Sequence, residues 1–125
     1  MTEILQYDPV RRWAAASRVG QVAYLAGETG TDPVTMEVVP GGVEAQTEQA
    51  FTNISKTLAH FGADLTDVIK ITIFLTDMAD LPAVSAIRSR VFPTPLPSTA
   101  IQVVALASPE MSVEIETIAL IPNAS

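Results

Sequence analysis

Three runs of this chain, 69–75, 100–106 and 111–121, place apolar side chains at successive positions, so a strand built from any of them is apolar on both faces. A sheet with one solvated face alternates apolar and polar residues more cleanly than this. Only two segments carry the three-to-four-residue apolar spacing of a helix, and two helices can cover only one face of a sheet. The second face therefore calls for cover from outside the chain. Further copies of the same chain are the simplest cover, and an apolar monomer surface is the alternative.

The order of the elements follows from local pattern. "WAAASRVG" and "QVAYLAG" are short apolar runs parted by Gly20 and Gln21, which predicts a hairpin. "GETGTDPVTMEVVPGG" reads as a loop. Val43, Thr47, Ala50, Ile54, Leu58 and Phe61 then line one face of a helix that Gly62 ends. Asp64 to Asp67 form a turn into the strand "VIKITIFL", with Ile69, Ile71, Ile73 and Leu75 expected on one face. Asp77 or Asp80 can cap a second helix that tolerates Pro82 in its first turn and buries Leu81, Val84, Ile87 and Val91. The prolines of "FPTPLP" end it. "STAIQVVAL" and "MSVEIETIAL" follow as two buried strands joined by a short turn. The expected fold is an α+β sandwich over residues 1–125, ordered β-β-α-β-α-β-β, with two helices on one face of a mixed sheet.

Composition narrows the functions. At 125 residues the chain is one domain, and 48% hydrophobic against 17% charged residues excludes a disordered chain. No apolar run approaches the ~20 residues of a membrane-spanning helix, and the N-terminus lacks the order of a signal peptide, so a cytoplasmic location without a membrane partner is expected. A net charge of −7 opposes the counterion displacement on which nucleic-acid binding depends. One histidine and no cysteine leave no metal site to propose.

Several stretches together resemble the Rid family, also called YjgF or L-PSP proteins: "VAYLAGETGTDP", "GGVEAQTEQAFTNISKTLAHFGADLTDVIKITIFLTDMADL" and "LPSTAIQVVALASPEMSVEIETIAL". The resemblance runs from about Trp13 to Leu120. It implies a chorismate-mutase-like fold, a homotrimer, and small-molecule clefts between subunits. Family deaminases hydrolyse imines and enamines without a cofactor, and the family pattern has a tyrosine, a serine-glycine pair, an arginine and a glutamate. Here the tyrosine position is Trp13, the serine is Ala26, the glycine is Gly27 and the glutamate is Glu114. The arginine position falls on Ser98 with one residue of gap, or on Thr99 with none. No lysine, arginine or histidine occurs from Val91 to Ser125, so no other gap recovers it. In this respect the chain resembles the arginine-lacking branches of the family.

Each candidate has a structural reading beside the functional one. Glu114 is expected as an acid at the cleft floor with its pKa raised by burial, or as a carboxylate tied to backbone or to a subunit's arginine. Glu116 reads as structural. Ser98 and Thr99 face a ligand or only cap backbone groups. Trp13 stacks on a planar ligand or fills an interface. Gly27 with Glu28 brings a backbone amide to a ligand or simply forms a turn. His60 is read as a helix-end or solvated residue. Arg11, Arg12 and Arg18 are surface charges, or substitutes for the missing anion clamp. The expected function is cofactor-free hydrolysis of an imine, enamine or related metabolite; the alternative is a trimer that binds a small metabolite without turnover.

Overall fold

The structure is a computed structural model that describes residues 2–5 and 13–122. Eight main elements run in the order β1 (Thr2–Leu5), β2 (Ala16–Val19), β3 (Val22–Thr29), α1 (Gly42–Ala59), β4 (Val68–Leu75), α2 (Leu81–Val91), β5 (Ser98–Gln102) and β6 (Val113–Leu120). The six strands form one mixed sheet ordered β1-β2-β3-β6-β4-β5, antiparallel except where β5 lies parallel to β4. The α+β class and the two-helix layer agree with the expectation. The N-terminal strand β1 was not expected: Thr2–Leu5 is only four residues long, and its pairing with β2 through Glu3↔Arg18 and Ile4↔Ser17 has no local signal.

One face of the sheet carries the core. Ala16, Ala23, Leu25, Ile71, Ile73, Leu75, Val113 and Ile115 meet Ala50, Phe51, Ile54 and Leu58 of α1 and Val84 and Ile87 of α2. Phe51 and Phe92 close the helical side edge-to-face at 5.6 Å. Gly62, at φ +70, takes the left-handed turn after α1 at little steric cost. Asp77 caps the short turn Met78–Asp80 through Ala79 N–H, whereas Asp80 makes no side-chain cap to α2.

Three expectations on strands are corrected. Ile69 does not join Ile71, Ile73 and Leu75 in the core, because the register with β6 slips between Val68 and Lys70. Val68 takes the buried place and Ile69 turns outward. The penultimate strand ends at Gln102, not at 106, and it is an exposed edge strand. Nor are the last two strands joined by a short turn: residues 103–112 connect them, and β4 lies between β5 and β6.

The face away from the helices presents Ile4, Val19, Tyr24, Phe74, Ile101, Ile118 and Leu120. Tyr24 is 51% exposed and Leu120 47%. This is the uncovered apolar surface that the strand composition required.

Candidate functional site

Glu114 sits near the start of β6, between Thr29 of β3 and Phe74 of β4. Val113 and Ile115 on either side of it point into the core, so alternation turns Glu114 to the open face. There β3 is irregular: its register with β6 shifts between Leu25 and Glu28, and Gly27 lies in the shift. A Cβ at Gly27 would come 2.8 Å from Cδ and 2.9 Å from Cγ of Glu114. Glycine is needed here for close approach, and the acid side chain occupies the space it leaves. Half-buried, the carboxyl has its pKa pushed up, first by loss of water and then by the neighbouring charge of Glu116.

A broad open groove of about 1470 Å³ runs past this carboxyl. Trp13, Gly27, Glu28 and Glu114 all line it, so the structure brings four of the sequence candidates together. Trp13 is 59% exposed, available as a flat wall rather than used as core. His60 stands at the C-terminal cap of α1, in line with its reading as a helix-end residue, and it lines the groove too, with Lys56 one turn before it. Met36, held at φ +62 in the hairpin-like loop after β3, forms part of the rim.

Ser98 and Thr99 lie elsewhere. They open β5, beyond β4, and neither lines the groove. Ser98 pairs with the core-facing Ile71 and turns toward α2, where Arg88 Nη1 donates to its hydroxyl at 3.2 Å. Thr99 pairs with Thr72 on the open face, and Lys70 Nζ stands 3.5 Å from its hydroxyl. A cation from elsewhere in the chain thus reaches each of the two hydroxyls. Arg18 donates to Gly20 O, and Arg90 pairs with Glu48. Arg11 and Arg12 fall outside the described residues.

Sequence reasoning also missed a set of amides on α1. Gln46 and Asn53 are buried, the first hydrogen-bonded to the turn that leads into β6 and the second to the end of β3 and the loop after it. Their only signal was polarity on the side of the helix that also carries Thr47 and Ala50. Among the described residues no group of three or more His, Cys, Asp or Glu could hold a metal ion, and no helix is long and apolar enough to cross a membrane.

The family described as endoribonuclease L-PSP matches residues 4–121. The 2-iminobutanoate/2-iminopropanoate deaminase of Capra hircus is 37% identical over 108 residues, covering 86% of this chain and 79% of its own. That of Dermatophagoides farinae is 34% identical over 114 residues, covering 91% and 89%. Among solved structures, RidA from an Antarctic Psychrobacter superposes with a TM-score of 0.84 at 36% identity, over 93% of this chain and 94% of that one. With the match spanning all but the chain ends, this protein belongs to the L-PSP family, the Rid proteins.

Proposed function

We propose that the protein hydrolyses a small imine or enamine without a cofactor, in a cleft completed when three copies assemble through the open sheet face. The observation that carries this reading is the Glu114 carboxyl, held against Gly27 at the groove with its pKa raised. A raised pKa keeps a larger protonated fraction near neutrality, which suits an acid that must both give and take a proton. Water adds to the imine carbon as its proton passes to Glu114, and the nitrogen takes a proton from the same carboxyl. The hydroxyl of the resulting carbinolamine then gives its proton to the carboxylate while the amino nitrogen takes one from it, so that the C–N bond breaks and ammonia leaves a carbonyl compound. The deaminases among the relatives support the reaction class.

The substrates named for those relatives carry a carboxylate, which requires a cation. On this reading Arg88, bonded to Ser98 outside the groove, is the anchor where β5 of one copy borders the groove of the next. A guanidinium borne by a helix is less rigidly aimed than one on the strand itself, so 2-imino acids are held more weakly than in relatives with an arginine there. Trp13 and Glu28 line the groove as substrate-binding residues, and Thr99 joins them across the same contact between copies. A trimer that only binds metabolites shares every feature except turnover. RNA cleavage is disfavoured by the net charge of −7.

The test generates 2-imino acids with an amino-acid oxidase and follows their capture by semicarbazide. The protein should lower the captured fraction, and Glu114→Gln should abolish that effect while leaving the assembly intact. Undiminished hydrolysis by Glu114→Gln would remove the acid from the mechanism.

A further inference from the structure

Glu114 stands near the start of a central strand, between the core residues Val113 and Ile115, and one helix ties down the backbone on both sides of it. Gln46 of α1 is 4% exposed and spans the entry to β6. Its Nε2 donates to Glu110 O at 3.1 Å, and its Oε1 accepts from Ser112 N–H at 2.8 Å. Ser112 is two residues ahead of Glu114. Asn53, 8% exposed, grips the other side. Its Nδ2 donates to Thr31 O at 2.8 Å and Thr29 O at 3.3 Å, and Thr29 is the residue of β3 that pairs with Glu114. Gln49 Nε2 donates to Asn53 Oδ1 at 2.9 Å and so fixes which way that amide faces.

Gln46 and Asn53 are seven residues apart, two helical turns or about 10 Å along one face of α1. Gly30 brings the chain against Gln46, since a Cβ there would lie 2.8 Å from Gln46 Cγ. The carbonyls and the amide that these side chains satisfy belong to loop and strand-end backbone, not to the helix itself. Each amide therefore sets a distance between α1 and one of the two chains that carry or face the acid.

We infer that Gln46 and Asn53 are positioning residues: through Ser112 and Thr29 they set where the Glu114 carboxyl stands against Gly27. The inference rests on the proposed role of Glu114. A hydrogen-bonded brace of this kind holds a reacting group within a few tenths of an ångström, the tolerance that a catalytic geometry demands. Apolar residues of similar size could fill the same volume, but they would take these partners from four backbone groups, two at each amide, and leave the strands free to drift.

The experiment measures Gln46→Met in the full chain. Imine hydrolysis should lose kcat by roughly tenfold or more, with KM nearly unchanged, as displacement of a reacting group predicts. Carbon-13 NMR of the Glu114 carboxyl, assigned by its loss in Glu114→Gln, should show its titration moving down toward that of an exposed glutamate. Glu116 on the same strand, Glu28 and Glu110 beside the groove, and Lys56 and His60 on α1 and its end remain in place as the charged and polar surroundings in both proteins. A lower melting temperature with kcat and the titration both unchanged would overturn the inference. If the parent protein shows no turnover, the hydrolase reading fails, and the NMR titration alone decides the positioning role. Should Gln46→Met not fold, Asn53→Asp, which keeps the acceptor for Gln49 but cannot donate to Thr29 and Thr31, is read by the same two measurements.

Discussion

Gly27 and Glu114 share one volume: the carboxylate of the second fills the place where a side chain of the first would begin. The acid is on β6 and the glycine in the register shift of β3, so the contact joins two strands at the point where their ladder is interrupted.

Gly27→Ala should therefore push the Glu114 carboxyl out of place. Displacing a catalytic group by about an ångström costs on the order of a hundredfold in rate. Imine hydrolysis should fall by that order, while thermal melting, which depends on the core beneath, changes little. Retained activity in Gly27→Ala would show that the carboxyl has room to move.

The raised pKa of Glu114 sets the sign of a stability effect. The folded protein holds this proton more tightly than the unfolded chain, so stability falls as pH rises from the ordinary glutamate range through the folded pKa. Above that window the charged form is disfavoured by burial. Glu114→Gln removes this loss, and it should raise the melting temperature near neutrality relative to the parent, with the gain shrinking in acid. Melting curves of both proteins across that range check it; a salt-bridged Glu114 would give the opposite sign.

Arg88→Met should raise KM for 2-imino acids by roughly tenfold, the worth of a charge-assisted hydrogen bond at a partly solvated site. An imine without a carboxylate should be hydrolysed at the parent rate. Equal effects on both substrates would assign Arg88 to structure.

Leu120→Asp places a charge on the open face, opposite Val22 and near Tyr24, without touching the helical core. The parent should scatter light as three chains and this variant as one, each with the same far-ultraviolet circular dichroism. A single-chain mass for the parent would refute assembly through this face.

Much of the architecture is written in local pattern. Helix α1 hydrogen-bonds within itself, so the spacing of Val43, Ala50, Ile54 and Leu58 and the stop at Gly62 identify it without knowledge of the rest. The two-faced apolar strands likewise require an uncovered face whatever the strand order. Glu114 was legible as an acid interrupting an apolar run that lacks any base. Strand partnership is different, because its hydrogen bonds join residues far apart in the chain and one slipped residue exchanges the faces. Only tertiary structure places β4 between β5 and β6, slips the register at Val68 so that Ile69 turns outward, and opens β3 at Gly27. For the same reason the guanidinium beside Ser98 comes from Arg88 on a packed helix, and the braces of Glu114 come from Gln46 and Asn53. Pairwise contacts between distant segments have no period along the chain, and they are decided by which surfaces bury each other.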